Sequence, residues 1–185
     1  MKKKDKNIQL WEELLQGDLN ALEQIYTSFH SELYHYALKI TSQVDLAEDA
    51  LQDVFVDIWT YRSKLGSIHS VQAYLLRSVR NQCLKLLKIQ QRFTNIDEAG
   101  SFDLILPEEL QLVDPSQAIK QAIMEGMTKL SPRQREVIYL KYYNNLDYEE
   151  LAEILEINYQ SVINHIHKAM LKLRDTDILK HIERK

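Results

Sequence analysis

Apolar positions along the chain recur at helical spacing almost from end to end. Ile8 to Gln16 reads as a short amphipathic helix closed by Gly17, a residue suited to a helix stop. Asp18 then caps a longer helix to about Ile40, with Leu22, Ile25, Tyr26, Phe29, Leu33, Tyr36, Ala37 and Ile40 forming its stripe. Tyr34 and His35 lie off or beside that stripe. The next helix runs from near Asp45 to about Tyr61: Ala47, Leu51, Val54, Phe55 and Ile58 share one face, and Asp49, Gln52, Asp53 and Val56 fall roughly opposite. YRSKLGSIHS is a loop. A further helix from about Val71 to Gln91 uses Val71, Leu75, Val79 and Leu86 for its core, leaving Arg77, Arg80, Asn81, Lys85 and Lys88 on other faces.

Further along, start signals multiply. Asp114 before Pro115 opens a helix, and Ser131 with Gln134 makes a capping box for one that ends near Tyr143. Asp147 and Glu150 repeat the box for a short helix to about Leu155, and Asn158 caps a last long helix from Tyr159 to about Arg174. Between the two halves, residues 93–119 carry six acidic side chains, no basic one, and Gly100, Ser101 and Pro107. That stretch predicts an extended acidic linker rather than a third domain. The expectation is an all-α protein: two small helical domains over 8–92 and 115–178, joined by an acidic linker over 93–114. Only 4 Gly and 3 Pro in 185 residues agree with helices and argue against a turn-rich β protein.

Charge changes this picture more than composition does. The net charge of -4 hides a segregation: Asp45, Glu48, Asp49, Asp53 and Asp57 stand together without a Lys or Arg, whereas no acid occurs from Ile58 to Ile96. Arg62, Lys64, Arg77, Arg80, Lys85, Lys88 and Arg92 fill that second run. An acidic helix feeding into a basic one suits a protein partner and a phosphate backbone held side by side. A merely solvated face is the plainer alternative. Trp59, Tyr61 and Tyr74 are of a type that stacks on unpaired bases, although core packing is the better reading for Trp59 and Tyr74.

Residues 148–174 have the spacing of a helix-turn-helix. Leu151, Ala152 and Leu155 face inward, Ile157 plugs the turn, and Val162, Ile166, Ala169 and Leu173 form the second stripe. Gln160, Ser161, Asn164, His167 and Lys168 turn away, which places short polar groups where a helix N-terminus enters a major groove. An αα-hairpin that binds nothing is the alternative. His165 and His167 lack a third ligand at metal spacing, so no metal site is expected. No nucleophile sits beside a base and no glycine loop cradles a phosphate, so an enzyme, a cofactor and a small-molecule substrate are not expected either. Cys83 is the single cysteine, read as a small buried residue in CLKLL. With no apolar leader and no stretch of membrane-spanning length, a cytoplasmic protein without direct membrane insertion is expected.

Three segments carry a family resemblance over roughly Leu10 to Arg174. DLAEDALQDVFVDIW resembles the core-polymerase-binding helix of the extracytoplasmic-function sigma factors, small members of the sigma-70 family of transcription initiation factors. YLLRSVRNQCLKLLK resembles their promoter-melting and minus-ten recognition helix, and LSPRQREVIYLKYYNNLDYEELAEILEINYQSV their minus-thirty-five domain. The resemblance implies a factor that joins core RNA polymerase, directs it to promoters and helps open them. It implies polymerase contact by Asp49, Gln52, Asp53 and Phe55, and minus-ten DNA contact by Arg62, Lys64, Arg77, Arg80, Asn81 and Lys85. Gln160, Ser161, Asn164, His165 and Lys168 would face the minus-thirty-five DNA. NYQSV resembles Bacteroidetes-type members, relatives often held by an anti-sigma factor. Glu156 stands where many members have Gly, and Ile163 and His165 where many have basic residues. Two rivals are a helix-turn-helix regulator acting without polymerase and a sigma-like interaction decoy.

Overall fold

The computed structural model describes residues 3–94, Phe102 and residues 125–174, with side chains described for 6–90, Phe102 and 125–174. Every regular element among the described residues is helical. The chain divides into two compact units, Met1–Ser101 and Phe102–Lys185. The expected helix start at Asp114 and Pro115, nearly all of the acidic stretch, and residues 175–178 lie outside the described residues.

The first unit comprises α1 (Lys3–Leu15), α2 (Leu19–Thr41), α3 (Val44–Tyr61), a 3-10 turn (Arg62–Lys64) and α4 (Val71–Thr94). Gly17 separates α1 from α2 at φ +92, a conformation that a side chain would strain. Asp18 then caps α2, its carboxylate accepting from the amides of Asn20 at 2.8 Å and Ala21 at 3.4 Å. Helices α2, α3 and α4 pack on one another in every pairing, and α1 packs on α2. Ile25, Phe29, Leu33, Tyr36, Leu51, Val54, Ile58, Val71, Leu75 and Val79 fill the space between them. The Trp11 indole N–H donates to the Gly66 carbonyl at 3.1 Å, so α1 fastens the loop that leads into α4.

Core assignments shift on two helices. Tyr26, expected inside, is 43% exposed, and Leu22 is half-buried. Ala21, Ile25, Phe29 and Leu33 form the ridge that enters the core, which leaves Leu22, Tyr26, His30 and Tyr34 along its flank. On α4, steps of four from Val79 reach Cys83 and Leu87, which are buried, so Leu86 is displaced to a half-buried position. Burial pushes the Cys83 thiol up to about 12, as an inert apolar residue should behave. Tyr74 is half-buried, its ring centroid 4.9 Å from that of Trp11. Burial raises its pKa.

The second unit has a helical turn at 125–128, then α5 (Pro132–Ile138), a π-helical turn (Tyr139–Tyr143), α6 (Tyr148–Leu155) and α7 (Tyr159–Arg174). Both capping boxes form. The Ser131 amide donates to Gln134 Oε1 at 3.0 Å and the Gln134 amide to Ser131 Oγ at 3.3 Å. The Asp147 amide donates to Glu150 Oε2 at 3.0 Å and the Glu150 amide to Asp147 Oδ1 at 2.8 Å. The helix expected to reach Tyr143 widens after Ile138: the Asn144 amide donates to the Tyr139 carbonyl, five residues back, at 3.3 Å. This wider turn lets Tyr139 and Leu140 both face inward.

Helix α6 packs against both α7 and the π-helical turn. Its inner face is therefore Leu151, Ile154 and Leu155, while Ala152, expected inside, is half-exposed, as is Leu173 near the end of α7. Glu156 closes α6 in the left-handed region at φ 52, with the Ile157 amide donating to the Ala152 carbonyl at 3.1 Å. A left-handed residue with a Cβ costs about 1 to 2 kcal/mol, which glycine avoids. Glu156→Gly should therefore be more stable than Glu156→Ala by about 1 kcal/mol in urea unfolding, since both variants lose the same carboxylate. Equal stabilities would show that the turn carries no such strain.

Candidate functional site

The shared core of the first unit fixes which side chains can reach a partner. Because Ala47, Leu51, Val54 and Ile58 turn inward, Asp49, Gln52 and Asp53 are exposed together on α3, with Val56 beside them at 55% exposure. Phe55 lies behind this face: it is buried, with its ring edge-on to Tyr26 at 5.0 Å. Between α2 and α3 runs a groove of about 690 Å³, whose lining includes Leu22, Tyr26, His30, Leu51, Phe55 and Val56. Tyr26, His30 and Tyr34 follow one another along its α2 wall, the first pair tilted at 49° with centroids 4.9 Å apart and the second stacked at 6.2 Å. Sequence reasoning missed this wall because it took Tyr26 for core and gave Tyr34 no role.

The basic run lies on the neighbouring helix. Arg77, Asn81 and Lys85 are exposed on α4 and Arg80 is half-buried. Gln82 joins the two helices: its Nε2 donates to Asp53 Oδ2 at 2.5 Å, and its Oε1 accepts from Lys85 Nζ at 3.4 Å. Acidic and basic faces therefore meet at a hydrogen-bonded seam. Where α3 ends, the Arg62 guanidinium lies 4.2 Å from the centre of the Trp59 ring and donates to the Trp59 carbonyl. Lys64 Nζ sits 5.5 Å from the Tyr61 ring centre. Tyr61 is 49% exposed, and Trp59 is half-buried. This end of the unit presents flat rings backed by cations, a surface on which unpaired bases can stack.

In the second unit Asn158 starts α7, its Oδ1 accepting from the Ser161 amide at 2.7 Å. Gln160, Asn164, His167 and Lys168 are exposed, and Ser161 and His165 are half-buried. Gln160 Nε2 donates to Asn164 Oδ1 at 3.4 Å, so these two side chains lie together one turn into the helix. Arg133 on α5, which the sequence did not single out, is close enough to His165 for its charge to act on that ring. It pairs with Glu136 at 2.9 Å and donates to the Leu155 carbonyl at the end of α6, bracing the turn between the two helices. Burial lowers the His165 pKa, and the charges of Arg133 and Lys168 lower it further.

Among the described residues no group of three or more His, Cys, Asp or Glu is arranged to hold a metal ion. The folded state binds the His165 proton less tightly than the unfolded chain does, so its contribution to stability is present above pH 6.5 and is lost as pH falls below it. His165→Gln should flatten the stability of the second unit over that acidic range, read by thermal unfolding at pH 5 to 7.5. An unchanged pH profile would dissociate His165 from it.

Comparisons with known proteins bear on both units. A family model for Sigma-70 region 2 matches residues 25–93, and one for Sigma-70, region 4 matches residues 120–173. RNA polymerase sigma factor YlaC of Bacillus subtilis (strain 168) is 21% identical over 157 residues, covering 84% of this chain and 91% of that protein. ECF RNA polymerase sigma factor SigL of Mycobacterium tuberculosis is 25% identical over 160 residues, covering 84% of this chain and 88% of that protein. Among solved structures, CnrH in complex with the cytosolic domain of CnrY superposes with a TM-score of 0.63 at 20% identity, over 91% of this chain and 94% of that one. The sigma factor RpoE in complex with the anti-sigma factor NepR from Bartonella quintana gives a TM-score of 0.61 at 22% identity, over 85% and 96%. With both signature regions present in order, one on each unit, the chain belongs to the sigma-70 family, as a sigma factor of the extracytoplasmic-function kind that serves transcription initiation.

Proposed function

We propose that the exposed face of α3, formed by Asp49, Gln52 and Asp53 over Phe55, is where core RNA polymerase holds the chain. Helix α4 and the loop before it then meet the promoter. Arg77, Arg80, Asn81 and Lys85, with Arg62 and Lys64, hold the separated strand of the minus-ten element, and Trp59 and Tyr61 offer rings to its bases. Extruding a base costs a few kcal/mol, so a surface whose cations and rings are already placed lowers the cost of opening. Upstream, Gln160, Ser161, Asn164, His165 and Lys168 on α7 face the minus-thirty-five DNA, with Arg133 alongside. The role is that of a non-enzymatic initiation factor.

One observation supports this assignment best: Gln82 hydrogen-bonds Asp53 on the acidic face while Lys85 on the basic helix bonds to Gln82. Polymerase contact and strand separation would then occur on the two sides of one seam. A helix-turn-helix regulator working without polymerase would leave this unit with no task. Residues 8–92 and 115–178 are assigned to these two tasks, with the acidic stretch 93–114 as their connection.

Both solved neighbours are complexes with a second protein, one of them an anti-sigma factor by name, which supports an anti-sigma partner for this chain. The NYQSV segment supports placement with the Bacteroidetes-type members. No described helix is long and apolar enough to cross a membrane, and the proposed place of work is the cytoplasm, where polymerase and promoter are.

Reversing charge with Asp49→Lys and Asp53→Lys should abolish co-purification with core polymerase while the helical circular dichroism stays as it is. Undiminished co-purification would remove α3 from the contact. Replacing Arg77 and Arg80 with Ala should flatten the salt dependence of open-complex formation, because each lost phosphate contact removes roughly 0.9 from the log-log slope. An unaltered slope would mean that neither guanidinium meets a phosphate.

A further inference from the structure

Helix α1 and the turn after it precede residue 25, where the matched region 2 begins. The roles assigned above to the first unit use neither. Yet both touch segment 62–66, which runs from the end of α3 into the loop before α4. Helix α1 packs on the 3-10 turn and on α4 as well as on α2. Its Trp11 is 1% exposed, with the ring centroid 4.9 Å from that of Tyr74 on α4 and the indole N–H donating to the Gly66 carbonyl at 3.1 Å. At the other end of the segment, Arg62 Nε lies 3.7 Å from the position that a Cβ on Gly17 would take.

Filling the core accounts for the Trp11 ring but not for this bond. A leucine or a phenylalanine would fill such a site with no polar group to satisfy, whereas a buried indole N–H without an acceptor is costly. Trp11 therefore couples its own packing to the height of the Gly66 backbone: the loop cannot lift without stranding that donor. Gly66 is exposed, its φ is not in the left-handed region, and a Cβ there would meet no atom within 4 Å. Neither backbone conformation nor packing inside the unit calls for glycine. What glycine supplies at such a position is uncovered backbone, which another molecule can approach closely.

We infer that Trp11 is a positioning residue for promoter specificity. By holding the Gly66 carbonyl it sets the height of segment 62–66, so that Arg62, Lys64 and the bare Gly66 meet the separated minus-ten strand in fixed register and decide which bases it accepts. Trp11 touches no DNA and acts through the loop. This role rests on the promoter reading given above.

The test uses the full chain with core polymerase on a promoter fragment that the pair opens. Open-complex formation is compared between the preferred base and each substitution, at every minus-ten and minus-thirty-five position. Such a ratio does not depend on how much of the protein is active, so a loss of folded protein alone leaves it unchanged. Trp11→Phe keeps an aromatic ring beside Tyr74 and removes the donor. It should lower the preference at one or more minus-ten positions by about fivefold, the effect expected of a lost hydrogen bond, and leave the minus-thirty-five preferences as they are. Gly66→Ala, whose methyl enters open space, should lower the same minus-ten preferences without moving the thermal unfolding midpoint. Unchanged minus-ten preferences in Trp11→Phe overturn the positioning role, as does an equal fall at both elements. Should Trp11→Phe fail to fold by circular dichroism, unchanged minus-ten preferences in Gly66→Ala overturn it instead. Absence of any open complex with the unaltered chain would overturn the promoter reading and this role with it, whereas the other adverse outcomes strike the role of Trp11 alone.

Discussion

Everything proposed for the first unit depends on the apolar contact among α2, α3 and α4. Each helix must bury one stripe in the same core, and that requirement fixes the rotation of each about its axis. Val54 and Ile58 cannot face inward on α3 without sending Asp49, Gln52 and Asp53 outward. Leu75 and Val79 do the same for Arg77, Asn81 and Lys85 on α4. Helices α3 and α4 pack directly on each other, so their outward charges of opposite sign have to become neighbours. Gln82 is the amide that spans the border, able to donate to a carboxylate and accept from an ammonium at once.

The second unit follows a different rule. Helices α5 and α6 are short and each is started by a reciprocal cap; α5 widens into the π-helical turn, and α6 stops at the left-handed Glu156. Lys172 near the end of α7 ties back to the start of α5, donating to Gln134 Oε1 at 3.0 Å and to the Lys129 carbonyl at 3.1 Å. Arg133 does the corresponding job at the end of α6. The face of α7 that carries Gln160, Asn164 and Lys168 is thus held by polar fastenings around a small core, a construction that suits a module meant to present one helix.

Much of this was legible in the chain because the signals were local. Asp18, the Ser131 and Gln134 pair, and the Asp147 and Glu150 pair act within one helical turn, and each caps the helix its spacing predicts. The exposed positions of Asp49, Gln52, Asp53, Arg77 and Lys85 followed from the stripes behind them. What escaped depends on tertiary contact. Tyr26 has a core residue's hydropathy and period but flanks a groove, because the neighbouring ridge of α2 is the one that meets the core. The π-helical turn at Tyr139–Tyr143 leaves no mark in the helical period. Arg133 and Trp11 are set apart by contacts 22 and 55 positions away, which no local pattern encodes.

The central claim is that one chain carries the polymerase handle and the promoter-reading surfaces and so converts core polymerase into an initiating enzyme. Run-off transcription with purified core polymerase on candidate promoter fragments, with and without the chain, tests it most directly. The account predicts a discrete, promoter-dependent product that forms only when the chain is added. An absence of promoter-dependent product from every candidate promoter, with polymerase shown to be active on a tailed template, would contradict it.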